Sequence, residues 1–264
     1  MSSYEERNEC WKDTKNKIKM MSKVDDSVKR VYKNENFTKK YSMSNVRLID
    51  FDVIDCAIKC KKMNPVIYNY SENDRPGRFV NLGLRGEEEE SFRRTNYSES
   101  LLQNLYPIFK DEGVYSPNIS VIKMSEATKW KSIPENEVPK ISFIACSKLE
   151  PLVTYVSKHN QIKLHSKDVE ILKNQIKLII QIAVEYGHDT IIFGSLFSGE
   201  RSTPIKHIAE IFKSVLIECN GVILNYYFAM LSNEKKYELC GKEWSTIEIF
   251  SDVFGIPVSL FKNY

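Results

Sequence analysis

The 264 residues carry 42% hydrophobic and 28% charged side chains, and only 10 glycines, where an average usage of about 7% gives roughly 18. This composition excludes collagenous, linker-like and low-complexity chains, and a net charge of +3 lacks the basic excess of a dedicated duplex nucleic-acid binder. No run approaches the ~18 unbroken apolar residues of a membrane span, and the charged N-terminal segment lacks the apolar core of a secretory signal, so an intracellular protein without membrane contact is expected.

Trp11, Ile18, Met21, Val24, Val28 and Tyr32 recur near helical spacing with lysines between them. They predict one or two amphipathic helices in an N-terminal helical extension over 1–44, whose last part, 34–44, is a polar loop. Apolar runs then alternate with helical patterns. Residues 46–50 and 66–70 read as strands, 53–63 as a helix, and 87–105 as a charged helix entered through a loop with Pro76 and Gly77. Strands are expected over 114–123 and 141–146, with a polar loop at 129–139 between them. Ser166 is expected to cap a long helix that stops at Gly187. Residues 190–196 are the most strand-like segment, 204–219 form a helix with Pro204 in its first turn, 221–230 a strand and 244–254 a last helix. Strands alternating with helices predict an α/β sandwich on a largely parallel or mixed sheet, as one domain over 45–264.

Several chemistry-bearing residues have ordinary roles. The six cysteines (Cys10, Cys56, Cys60, Cys146, Cys219, Cys240) show no framework spacing. Cys56 and Cys60 share a helix face without two further ligands nearby, so free buried thiols are expected rather than zinc. His159, His165, His188 and His207 have no nucleophile linked to them in sequence, and Tyr226-Tyr227-Phe228 reads as a core strand.

In open α/β sheets ligands bind beyond the carboxyl ends of the strands, at helix N-termini. Two junctions fit that position. One runs from Asn69 through Pro76-Gly77 to the four glutamates Glu87–Glu90; the other runs from Gly194 to Pro204. Acidic residues in a first turn favour the helix dipole and sit well in water. The alternative is that one of them enters a cleft, because consecutive helical residues are turned by about 100° and four in a row cannot share a target. The second junction has the place of a phosphate loop but neither common nucleotide fingerprint, and an ordinary connection remains an equal reading.

The order of these segments resembles the microbial type of poly(ADP-ribose) glycohydrolase, a relative of the macrodomains. In that family a strand ending in Asn-Phe-Ala leads to Pro-Gly-Gly-Gly and then to Gln-Glu-Glu. Here Val66-Ile67-Tyr68-Asn69-Tyr70-Ser71 stands for the strand and Pro76-Gly77-Arg78-Phe79 for the glycine run. Counted without a gap from Pro76, Glu87 falls on the family glutamine and Glu88-Glu89 on the glutamate pair. Asn45–Asp50, Tyr115-Ser116-Pro117, Ile141–Pro151, Ile191–Gly194 and Phe228-Ala229 continue the likeness in order, over about 45–230. The chain departs from the family where Arg78 and Phe79 replace glycines. Its second loop, with Gly194, Ser195, Phe197, Ser198, Gly199 and Arg201, is about one residue shorter and poorer in glycine.

The resemblance implies a macrodomain-like mixed sheet sandwiched between helices. It implies an ADP-ribose glycohydrolase acting on the O-glycosidic ribose–ribose bond of poly(ADP-ribose) or on an ADP-ribosylated protein, with no cofactor or metal. By carry-over Glu89 is the general acid and Glu88 holds a ribose hydroxyl, with a like-charged neighbour and partial desolvation raising the pKa of such an acid. Asn69, Gly77, Glu87 and the loop Gly194–Arg201 line the ligand, and Arg78, Arg85 or Arg201 offers guanidinium donors where glycine amides are lost. The reading preferred for those arginines is nonetheless that of ordinary surface residues. Two other readings stay open: a module of this fold that binds ADP-ribose or a nucleotide without turnover, and an interaction protein with a vestigial cleft.

Overall fold

The computed structural model describes residues 2–149, 152–158, 161–195, 203–233, 236–239 and 242–260. Helix α1 (Tyr4–Ile18) opens with a capping box, in which Ser3 and Glu6 satisfy each other's backbone N–H groups. Strand β1 (Val28–Val31) follows, then β2 (Asn45–Ile49), α2 (Val53–Lys59) and β3 (Pro65–Ser71). Next come α3 (Glu87–Arg94), β4 (Glu112–Ser120), β5 (Lys140–Ser147) and a small hairpin, β6 (Thr154–Val156) with β7 (Ile162–Leu164). The second half holds α4 (Ser166–Glu185), β8 (Thr190–Phe193), α5 (Ile205–Glu218), β9 (Asn225–Ala229), a hairpin of β10 (Lys236–Leu239) and β11 (Lys242–Ser245), α6 (Thr246–Phe254) and β12 (Val258–Ser259).

Eight strands form one sheet in the order β1-β4-β5-β3-β8-β9-β2-β12. From β5 to β12 neighbours run parallel, whereas β4 is antiparallel to both β5 and β1, so the sheet is mixed. The central strands are buried on both faces, which is why they read as continuous apolar runs in sequence. One face packs on α4, α5 and α6 through residues such as Tyr68, Ile144, Phe193, Phe212 and Phe250. The other packs on α1, α2 and α3 through Ile67, Phe143, Ile192, Ile54 and Phe92. The α/β sandwich expected from the sequence is therefore present. Among the described residues no helix is long and apolar enough to cross a membrane.

Four boundaries differ from expectation. The helical spacing through Val28 and Tyr32 ends instead in the edge strand β1, because Val28–Val31 pair with β4 over Glu112–Tyr115. The helix begun at Glu87 stops at Arg94 rather than near Leu105, because the Arg94 carbonyl accepts the Ile122 and Lys123 N–H groups and Thr95 bridges Val121. His165, not Ser166, is the N-cap of α4, and the strand at 190 ends at Phe193. The remaining boundaries move by a few residues only.

Helix α1 packs on α3 and on the turn before it. Arg7 Nε donates to the Gly83 carbonyl, Trp11 Nε1 to Asn81 Oδ1 at 2.9 Å and Thr14 Oγ1 to the Arg93 carbonyl. Lys123, nearly fully buried, donates to the Cys10 carbonyl at 2.7 Å and pairs with Asp13 at 2.9 Å. Cys10, Cys56, Cys60, Cys146 and Cys219 are free and buried; Cys240 lies outside the described residues.

Candidate active site

Side chains alternate across a strand, so on β3 Val66, Tyr68 and Tyr70 face the α4–α5 layer while Ile67, Asn69 and Ser71 face α3. The last two stand at the carboxyl end of the strand, where the alternation places a polar pair against the start of α3. Asn69 Nδ2 donates to Glu88 Oε1 at 3.1 Å, and Ser71 Oγ donates to the same oxygen. Asn69 also reaches the Tyr97 hydroxyl at 3.4 Å, and Ser71 meets that of Tyr106 at 2.7 Å. Tyr97 itself is fixed by stacking on Phe143, with centroids 4.5 Å apart. Glu88 Oε2 is buried and has no hydrogen-bond partner among the described residues.

The four glutamates at the head of α3 point four ways, as the 100° step requires. Glu87 Oε1 accepts the Ser195 N–H at the end of β8. Glu88 faces β3. Glu89, 6% exposed, curls back over Gly86, where a methyl group would overlap its Oε2. Glu90 accepts from Trp130 Nε1 at 2.7 Å and pairs with Arg93 at 3.4 Å. The solvated-face reading of this run is therefore wrong: Glu88 and Glu89 are buried, and Glu87, Glu88 and Glu90 each accept a specific hydrogen bond.

Burial raises the Glu88 carboxyl to about 7, with the neighbouring Glu89 charge adding to the effect. The Ser71 and Asn69 hydrogen bonds oppose it, as does the Lys148 ammonium, which pairs with Glu72 at the end of β3. A folded-state value above the ordinary 4.5 means the folded protein binds this proton more tightly than the unfolded chain does. Its stabilising effect is full below the unfolded value and is lost as the pH rises toward 7. Glu88→Gln keeps an acceptor for Asn69 and Ser71 and carries no charge. At pH 8 it is expected to be more stable than wild type by about 3 kcal/mol, narrowing to a few tenths of a kcal/mol near pH 4.5. Urea denaturation at the two pH values checks this, and an equal or lower stability at pH 8 would refute it.

The other sequence-derived residues divide into two groups. Asn69, Glu87, Glu88, Glu89, Gly194 and Ser195 converge on the N-terminus of α3. Gly77 adopts φ +53° and lies against the Phe92 ring, where a side chain would overlap it, so glycine is demanded by packing as well as by the backbone. Arg78 is exposed; it pairs with Asp74 at 3.4 Å and lies over the half-buried Phe79 ring, 5.3 Å from its centroid. Arg85 pairs with Glu126, which is pulled down to about 2 by the Ser2 and Arg85 contacts despite its partial burial. Both arginines have partners of the surface reading. Phe197, Ser198, Gly199 and Arg201 lie outside the described residues.

His188 is buried between the Tyr115 hydroxyl and the Asn64 carbonyl, each 2.9 Å away, and burial lowers its pKa. His207 Nδ1 accepts the Leu164 N–H at 2.9 Å. Both are structural. The sequence reading missed Ser71, Tyr97 and Tyr106; for Ser71 the signal was its two-residue step from Asn69, while the tyrosines come from turns with no periodic cue.

A mixed sheet between two helical layers, with a buried carboxylate network beyond the carboxyl end of a central strand, defines a macrodomain-like α/β protein. Protein-family models give no match to this chain, and neither do the curated proteins. Solved structures do. The poly(ADP-ribose) glycohydrolase of Thermomonospora curvata superposes with a TM-score of 0.71 at 12% identity, covering 94% of this chain and 99% of that one. The same enzyme bound to the inhibitor ADP-HPD gives 0.67 at 12% identity, over 93% and 98%. The Deinococcus radiodurans enzyme in complex with ADP-ribose gives 0.63 at 13% identity, over 96% and 91%. The chain has the fold of the bacterial poly(ADP-ribose) glycohydrolases along nearly its whole length.

Proposed function

We propose that this protein is an ADP-ribose glycohydrolase that cleaves the O-glycosidic ribose–ribose bond of poly(ADP-ribose) or releases ADP-ribose from a modified protein. The observation that carries the reading is the pair Glu88-Glu89 at the carboxyl end of β3, with Glu88 bound by Asn69 and Ser71 and one of its oxygens unpartnered. That arrangement suits a sugar hydroxyl, which would donate to Glu88 Oε2 and so orient the ribose beside Glu89. Glu89 then protonates the leaving oxygen as positive charge develops at the anomeric carbon, and the resulting carboxylate takes a proton from the attacking water. The N-terminus of α3 is a place at which a diphosphate would meet backbone N–H groups.

Purified protein mixed with poly(ADP-ribose) is expected to release ADP-ribose, read by chromatography of the soluble products. Binding without release would favour a reader of the same ligand; the replacement of two family glycines by Arg78 and Phe79 favours that reader and an interaction protein alike. Neither binding nor release would refute both readings.

A further inference from the structure

Glu88 meets two side chains of β3 on one oxygen, and a third residue stands behind one of them. Ser71 and Asn69 both donate to Glu88 Oε1. A serine hydroxyl has a single hydrogen. With that hydrogen directed to Glu88, the 2.7 Å contact between Ser71 Oγ and the Tyr106 hydroxyl must be donated by Tyr106. Burial and the Glu88 charge push the Tyr106 phenol upward, so it keeps the proton that this contact uses. Tyr106 is half-buried and follows the turn Gln103–Leu105. That segment is tied to the residues after β3: Gln103 Nε2 donates to the Asp74 carbonyl at 3.0 Å, and the Ile108 N–H to that of Asn73 at 3.1 Å. The hydroxyls of Tyr106 and Ser71 thus form a directed chain that ends on Glu88 Oε1.

We infer that Tyr106 is a positioning residue for Glu88, one that acts through Ser71 to keep Oε1 filled from within and leaves Oε2 as the oxygen that takes up a proton or a sugar hydroxyl. The sugar hydroxyl rests on the ADP-ribose reading above; the hydrogen-bond chain stands without it. Two hydroxyls pointing the same way polarise each other, so the bond that reaches the carboxylate is stronger than a lone serine would make. This favours the ionised acid against the burial that opposes it. Among the described residues, the other charged and titratable groups around this chain are Glu89 on α3, Glu72 at the end of β3, Tyr97 after α3, Cys146 on β5 and Lys148 just beyond it. Tyr106→Phe alters none of them: it keeps the ring and removes only the hydroxyl.

Carbon NMR of the side-chain carboxyls, with Glu88→Gln to identify the signal, follows the Glu88 titration in wild type, Tyr106→Phe, Ser71→Ala and the double variant. The midpoint is expected to rise by roughly half a unit in Tyr106→Phe and by about one unit in Ser71→Ala, with the double variant no higher than Ser71→Ala alone. An unmoved midpoint in Tyr106→Phe would overturn the inference. So would a shift of the same size in the Ser71→Ala background, because the phenol would then act on the carboxyl without the serine. Calorimetric titration with ADP-ribose tests the sugar contact: Tyr106→Phe should bind about threefold to tenfold more weakly than wild type. Unchanged affinity beside a shifted midpoint would remove the sugar hydroxyl from Oε2. Failure of the wild type to bind ADP-ribose would remove the functional reading, while the NMR titration still decides the positioning role.

Discussion

Glu89→Gln is expected to slow release of ADP-ribose from the polymer by on the order of 10²–10⁴-fold, with ADP-ribose affinity little changed. Glutamine has the shape of the acid it replaces, so it can lie over Gly86 as Glu89 does, but it cannot give up a proton to the leaving oxygen. The loss belongs to the transition state and should appear in kcat rather than in KM. Gly86→Ala gives an independent check, since a methyl group there overlaps Glu89 Oε2 and must push the carboxylate aside. Turnover should fall in this variant while Glu89 itself is intact. Single-turnover cleavage of labelled polymer measures both; release by Glu89→Gln within a few-fold of wild type would show that the proton comes from elsewhere.

Glu88 supports the same assignment from the side of stability. A buried carboxyl held near 7 with one unpartnered oxygen costs the fold free energy at neutral pH. Packing alone would be served better by glutamine or by an apolar residue. A destabilising group beyond the carboxyl end of a central strand is what a site under functional constraint looks like.

The parts of this architecture that sequence reasoning could see are those whose cause is local. The central strands β3, β5, β8 and β9 are covered on both faces, so burial writes itself into unbroken apolar runs. The start of α3 was visible in its acidic first turn. Its end was not, because Ser91–Tyr97 keeps a helix-compatible pattern, and what stops it is the β-bridge of Thr95 to Val121 and the two N–H groups that reach the Arg94 carbonyl. Edge strand β1 was concealed for the same reason: only pairing with β4 distinguishes it from the helical spacing of Val24, Val28 and Tyr32. In the site, the residue types at Asn69, Glu88 and Glu89 were legible from their order along the chain. The contact of Glu87 with the Ser195 N–H was not, since the two stand 108 residues apart. Nor does sequence reveal that Arg93 and Arg94, residues that normally lie at the surface, are fully buried here.

Arg94 is where that concealed burial has its largest consequence. Its guanidinium bonds Asp52 Oδ1 at 2.6 Å, bonds Asp55 and donates from Nε to the Lys123 carbonyl at 3.3 Å. Asp52 is also the N-cap of α2, accepting the Asp55 N–H at 2.8 Å, so one side chain ties the end of α3 to the start of α2. Arg94→Ala removes the cation and leaves two partly buried carboxylates facing a cavity. A loss of about 3–5 kcal/mol is expected, the range for breaking a buried pair by removing one partner. Much of that loss is the repulsion and desolvation of the abandoned acids rather than the intrinsic worth of the pair. The triple variant Asp52→Asn, Asp55→Asn, Arg94→Met, which removes all three charges and retains a capping side chain, should therefore be more stable than Arg94→Ala, although it carries more substitutions. Urea denaturation of the three proteins decides between these accounts. If the triple variant is the least stable, the network stabilises α3 through its own bonds, and the single loss cannot be assigned to uncompensated charge.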